Sequence, residues 1–190
     1  QLLLEDDVFF HRVAEQSLLR MQSHERITEK KLLYILIDVS GSMKELMSNG
    51  LPRHVWARVI MVKLLLQAIR GEATYLFRLF DGAPHELHTV LDERDGTAAL
   101  DFIVRMAFSG GGTNILEAFS RAVKDIRERS KDSTSAVADV LLISDGEDGS
   151  MNNTAHVQKL LGADVRLHAL LLGAQNDAVR SVATTCHLLR

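Results

Sequence analysis

At 190 residues, 46% hydrophobic and 25% charged, the chain has the composition of one globular domain, which excludes a mainly disordered protein. Its 22 basic and 25 acidic side chains leave a net charge of −3, without the concentrated basic face that nucleic acid requires, so no nucleic acid is expected. A lone Cys186 allows no internal disulfide and no cysteine-held zinc, and no apolar run approaches the ~20 residues of a membrane span, so a reducing, cytoplasmic setting away from membranes is expected.

Within residues 1–31, Phe10, Val13, Ala14, Leu18 and Met21 recur at helical spacing, with Arg12, Glu15, Arg20 and Gln22 between them. This predicts an N-terminal amphipathic helical segment, distinct from a second unit over 32–190. Two readings of it stand: a helix packed on the domain behind it, or the end of a helical region continuing upstream. From Leu32 the pattern changes. Leu32 to Ile37 is a short continuous apolar run, as expected of a strand buried on both faces of a parallel sheet. Val55, Val59, Ile60, Val62 and Leu66 mark a helix closed at Gly71. Thr74 to Phe80 predicts a strand, the turn Asp81-Gly82 ends it, and Glu86 to Leu91 predicts an edge strand hairpinned back. Leu100, Ile103, Val104 and Ala107 predict one helix, and Ile115, Phe119, Ala122, Val123 and Ile126 the next. Val137 to Ile143 and Val165 to Leu172 are apolar strands separated by a helix over Thr154 to Leu161. Asn176 to Thr185 reads as a last helix, and His187 begins a last strand. Strands alternating with helices predict an α/β, Rossmann-like open sheet, mainly parallel, with helices on both faces and one antiparallel edge strand.

In such sheets ligands sit outside the carboxyl ends of the strands, so the loops that follow strands are where chemistry is expected. Asp38-Val39-Ser40-Gly41-Ser42 follows the first strand, Ser144-Asp145-Gly146-Glu147-Asp148 follows a later one, and Ser109-Gly110-Gly111-Gly112-Thr113-Asn114 lies between two helices. Together they offer two carboxylates at strand ends (Asp38 and Asp145) and three hydroxyls (Ser40, Ser42 and Thr113), with no thiol and no obligatory imidazole. All-oxygen donors suit a hard cation such as Mg²⁺, with Mn²⁺ or Ca²⁺ acceptable, rather than zinc or copper. In an extended loop residues 38, 40 and 42 converge on one side.

Asp38-x-Ser40-x-Ser42, a distant Thr113 and an Asp145 after a later apolar strand resemble the metal-ion-dependent adhesion site of von Willebrand factor type A (vWA) domains. The resemblance covers most of the chain from Lys31 and fills all five motif positions. It implies that Ser40, Ser42 and Thr113 face a divalent cation that Asp38 and Asp145 bind directly or through water. It also implies a site that receives an acidic residue of another protein and does not catalyse, with Gly112, Asn114 and Glu147 on the rim that meets the partner. The compact form is similar to intracellular bacterial A domains that partner MoxR-type AAA+ ATPases, which implies such an ATPase as the partner.

Simpler readings accompany these. Thr113 is a good N-cap for a helix from Asn114, with Glu117 at the capping-box position, and capping competes with metal for the same oxygen. Glu147 and Asp148 read as a solvated acidic rim, and the stretch from Lys124 to Arg129 as an exposed helix face of mixed sign. The eight histidines show no ligand spacing, His168 reads as a satisfied core histidine, and Cys186 as a small buried apolar group. Trp56, beside Arg53 and His54, borders the metal loop or packs its helix. Two other functions remain open: a Mg²⁺-dependent phosphatase or phosphotransferase using Asp38, and a vWA-like interaction domain whose metal is structural only. Against the first, the aspartyl-phosphate pattern wants Asp-x-Asp, and Ser40 occupies the second acidic position.

Overall fold

A computed structural model describes residues 32–70, 74–108, 110–129 and 137–190. The expected N-terminal helical segment, Gly71 and Ser109 lie outside them. The described residues belong to one compact unit, Lys31–Arg190. In chain order this unit runs β1 (Leu32–Asp38), a 3-10 turn (Gly41–Lys44), α1 (Arg53–Ile69), β2 (Thr74–Phe80), β3 (Pro84–Val90), α2 (Glu93–Arg105) and α3 (Ile115–Arg129). It continues with β4 (Ala138–Ser144), a second 3-10 turn (Ser150–Asn152), α4 (Thr154–Leu161), β5 (Val165–Leu172), α5 (Asp177–Val182) and β6 (Thr185–Leu189).

The six strands form one sheet in the order β3-β2-β1-β4-β5-β6, parallel throughout except for β3, which runs antiparallel to β2. The apolar runs explain the order. Tyr34, Ile35, Leu36 and Ile37 are all fully buried, so β1 must be covered on both faces and flanked on both edges, by β2 and β4. On one face Tyr34, Leu36, Leu76, Val140, Leu142, Leu167 and Leu171 pack with Phe119 and Ile126 of α3, Val157 and Leu161 of α4, and Val179 and Val182 of α5. The alternate residues face the other way, where Phe77 meets Phe102 of α2 at 6.2 Å between ring centroids, and α2 packs on α1. That contact is tight: a Cβ on Gly96 of α2 would lie 2.7 Å from Ile69 Cγ1.

From β1 the chain moves through α1 to β2 on one side, then crosses back to β4 on the other. Right-handed crossovers therefore put α1 and α4 on opposite faces, and the loops after β1 and β4 part from each other above the sheet. The strand order reverses between Asp38 and Ser144, and that is where the topology opens a crevice.

Several expected boundaries shift, each for a local reason. α2 starts at Glu93 because Asp92 caps it, accepting from Asp95 N at 2.9 Å. β3 opens at Pro84, tolerated because its partner-free side is a sheet edge. The last helix ends at Val182, not Thr185, and β6 starts two residues before His187, because Thr185 and Cys186 pair with His168 and Ala169 of β5. Asp125 is not on an exposed face. It is buried, takes hydrogen bonds from Tyr34 Oη (2.7 Å) and Arg78 Nη2 (2.7 Å) on its Oδ2, and pairs with Arg121 through Oδ1 at 3.1 Å. His168 is satisfied by Thr185 Oγ1 at 2.8 Å and Asp139 Oδ1 at 3.1 Å, though half-buried rather than in the core. Cys186 is likewise half-buried, and burial pushes its thiol up.

Candidate metal centre

β1 delivers Asp38 to the crevice with its carboxylate wholly buried. Val39 continues the sheet ladder, donating to Phe80 O at 2.8 Å, and turns its side chain into the core. Asp38 Oδ1 accepts from Ser40 N at 2.9 Å, while Oδ2 accepts from Ser144 Oγ at 2.6 Å. Burial pushes the Asp38 carboxyl up to about 6 from its ordinary 3.8; the Ser144 and Ser40 hydrogen bonds pull it down, and the charge of Asp145 adds to the rise. The backbone then bends into the 3-10 turn, anchored by the fully buried Met43, and brings Ser40 Oγ and Ser42 Oγ to 3.1 Å from each other. Gly41 lies against the glycine loop, where a Cβ would stand in ordinary contact, 3.6 Å from Gly110 Cα.

Asp145, at the end of β4, is also fully buried. Its Oδ1 accepts from Glu147 N at 3.0 Å and its Oδ2 from Arg53 Nη1 at 3.1 Å. Ser144 Oγ joins the two carboxylate loops, donating to Asp38 and accepting from Gly146 N at 3.0 Å. Gly146 has φ of 76°, and a Cβ there would stand 3.1 Å from Asn176 Cβ and 3.3 Å from Leu171 Cδ2, so the loop needs glycine.

The structure brings Asp38, Ser40, Ser42 and Asp145 into one hydrogen-bonded neighbourhood. Thr113 lies half-buried in the adjacent glycine loop, and among the described residues its hydroxyl makes no hydrogen bond. It does not cap the helix: Asn114 does, its Oδ1 accepting from Glu117 N at 3.1 Å and its Nδ2 donating to Glu117 Oε2 at 3.0 Å. The Thr113 oxygen is therefore left to other work, while the Asn114 side chain, expected on the rim, is engaged in the cap. Gly112 is exposed. Glu147 is on the rim but not simply solvated, because Arg53 Nη1 donates to its Oε1 at 2.7 Å. Asp148 turns inward to cap α3, accepting from Ile115 N at 2.8 Å, and also accepts from Ser150 Oγ and Ser150 N.

Two residues escaped the sequence reading. Arg53, at the start of α1, donates to Ser42 O (3.2 Å), Asp145 and Glu147, and pairs with Glu45 Oε2 at 3.2 Å. Asn176 caps α5 through Oδ1 and ties the loop after β4 through Nδ2, to Gly146 O (2.8 Å) and Asp148 O (2.9 Å). Its position before Asp177 is the one sequence signal it carried, as an N-cap. Trp56 has a buried Nε1 without a partner among the described residues, and no contact places it on the metal loop.

The donor chemistry fits a hard divalent cation. With metal–oxygen distances of about 2.0–2.1 Å, adjacent octahedral ligands stand about 3 Å apart, and the Ser40 and Ser42 hydroxyls are at that spacing. No group of three or more His, Cys, Asp or Glu among the described residues is placed to hold a metal, so any site here must draw on hydroxyls. Burying Asp38 and Asp145 together is costly without a positive charge nearby, and a cation and Arg53 are the two ways of supplying one.

A family model described as VWA domain containing CoxE-like protein matches residues 10–186. No curated protein matches the chain in sequence. Among solved structures it is similar to conserved hypothetical protein BatB from Bacteroides thetaiotaomicron, with a TM-score of 0.62 and 14% identity over 84% of this chain and 90% of that one. It is also similar to a von Willebrand factor type A protein from Catenulispora acidiphila (TM-score 0.64, 17% identity), covering 85% of this chain but 39% of that one. The SpRpn10 VWA domain matches at TM-score 0.60 and 14% identity, over 84% of this chain and 87% of that one. At these identities the structures share a fold and nothing more is carried across. No helix among the described residues is long and apolar enough to cross a membrane.

Proposed function

Because this chain belongs to the family of VWA domain containing CoxE-like proteins, we propose that it is a protein-interaction domain whose contact is metal-dependent. Asp38, Ser40, Ser42, Thr113 and Asp145 would hold Mg²⁺, with Mn²⁺ or Ca²⁺ as substitutes. A cation ligated largely by neutral hydroxyls keeps much of its charge and takes up an Asp or Glu carboxylate from another protein. The observation that carries this reading is the pair of Ser40 and Ser42 hydroxyls converging at 3.1 Å beside two fully buried carboxylates, where the strand order reverses.

The chain's own residues do the rest. Ser144 and Ser40 N fix the orientation of Asp38, and Asn176 and Gly146 fix the loop that carries Asp145. The domain binds and does not catalyse: Asp38 has both oxygens engaged and no solvent exposure, which supports a fixed ligand over a nucleophile for phosphate. The exposed Gly112 and the Glu147 edge form the surface against which a partner's acidic residue arrives. The domain acts in the cytoplasm, and the compact bacterial form it resembles makes a MoxR-type AAA+ ATPase the first partner to test.

The test is a pull-down from native cell extract in Mg²⁺ and in EDTA, with the wild type and a Ser40→Ala, Ser42→Ala double variant. Capture of a MoxR-type ATPase in Mg²⁺, lost in EDTA and in the variant, is the expected outcome. Capture that survives both removes the metal bridge and leaves the fold assignment untouched.

A further inference from the structure

Arg53 is placed where a cationic side chain is disfavoured. It is the first residue of a 17-residue helix, so its charge opposes the positive end of the helix dipole, and no acidic residue in that first turn compensates it. It is 8% exposed, its Nε is buried without a hydrogen-bond partner among the described residues, and this one guanidinium pairs with Glu45, Asp145 and Glu147. The chain makes room for it: Gly173, at φ of 90° just after β5, would carry a Cβ 2.8 Å from Arg53 Nε and 3.4 Å from Cζ. The guanidinium thus joins the turn after β1 (Ser42 O and Glu45) to the loop after β4 (Asp145 and Glu147), packed against Gly173 just after β5. A lysine, with a single ammonium, does not reach that set with the same fork of donors.

We propose that Arg53 is the resident countercharge of this rim, a positioning residue that holds Asp145 in place and opposes cation binding by standing against the same carboxylate. The inference rests on the metal-site reading above and deepens it. Its chemistry is competition. Asp145 Oδ2 takes a hydrogen bond from Arg53 Nη1 at 3.1 Å, so a divalent ion drawing on Asp145 competes with a cationic group already held against the same carboxylate. A unit positive charge beside a divalent ion's ligand, even under water-like screening, alters affinity by about tenfold. Arg53 therefore keeps the two carboxylate loops assembled whether or not a cation is present, and keeps the cation exchangeable.

The experiment compares wild type, Arg53→Gln and Arg53→Lys by isothermal titration with Mg²⁺ alone and by thermal unfolding in EDTA and in Mg²⁺. Arg53→Gln should bind Mg²⁺ about tenfold more tightly, unfold at lower temperature in EDTA, and gain more from Mg²⁺ than the wild type does. Arg53→Lys, which keeps the charge, should bind within about threefold of wild type. A purely structural role would weaken binding in both variants. Equal or weaker Mg²⁺ binding by Arg53→Gln overturns the proposal and leaves the metal reading standing. So does an Arg53→Gln protein that stays unfolded at about 20 mM Mg²⁺, since the cation should replace the lost charge. Equal tightening in Arg53→Lys overturns it as well. Absence of Mg²⁺ binding by the wild type overturns both readings.

Discussion

Replacing Asp38 with Asn removes a charge that the fold buries completely, and the protein should become more stable for it when no cation is present. The carboxyl is raised from 3.8 to about 6, and a shift of roughly two units corresponds to about 3 kcal/mol held against the ionised form at neutral pH. Asn keeps the acceptor that Ser40 N uses but turns an amide toward Ser144 Oγ, which now donates to that position, so about 1 kcal/mol of hydrogen bonding is given back. The net gain is about 1–2 kcal/mol, or roughly 3–6 °C in Tm for a domain of this size. Because the folded state holds this proton more tightly than the unfolded chain, wild-type stability is withdrawn as pH rises from about 4 to about 6. The gap between Asp38→Asn and wild type should accordingly open across that window and stay constant above it. Urea unfolding in EDTA at pH 4 and pH 7.5 measures it, and saturating Mg²⁺ at pH 7.5 should reverse the order, since only the wild type gains from the cation. An Asp38→Asn protein less stable than wild type in EDTA at pH 7.5, or a gap indifferent to pH, refutes the reasoning.

Asp125→Ala strands Arg78 and Tyr34 in the core, and should cost about 3–5 kcal/mol by urea unfolding; a cost under about 1 kcal/mol would mean that the Asp125–Arg78 pair contributes little. His88 lies between Phe77 (4.6 Å) and Phe102 (4.3 Å), and burial, with Arg78 nearby and against the pull of Glu86, holds its pKa below the ordinary value. The folded state therefore binds this proton less tightly, so stability should fall as pH drops through about 6.5. His88→Phe should lose less Tm than wild type between pH 7.5 and pH 5, and parallel curves for the two would contradict this.

What could be read in the sequence was whatever acts through chain-local pattern. Continuous apolar runs announced β1, β4 and β5, and strand-end position marked Asp38, Ser40, Ser42 and Asp145, because a strand's carboxyl end is fixed by the strand itself. Arg53 was invisible as a site residue: Asp145 is 92 positions away, and no spacing connects the two. Asp125 was misread for the same reason, since its mixed-sign neighbours fit an exposed helix and the partners that bury it, Tyr34 and Arg78, come from two strands. Thr113 and Asn114 are both good caps, and only the turn geometry at the start of α3 decided between them. The end of α5 was misplaced because pairing with β5 outweighed helical preference over Thr185 and Cys186.

β1 and β4, whose carboxyl ends carry Asp38 and Asp145, are interior neighbours, and β3 and β6 are the outer strands. Hydrogen exchange should therefore be slowest at the amides of Ile35 to Ile37 and Leu142 to Ile143, which open only when the whole domain does, while β3 and β6 fray first. The loops after β1 and β4 stand on interior strands of the described sheet. An incoming acidic side chain would meet a receptor already shaped, and the entropy lost on contact would fall mainly on the visitor.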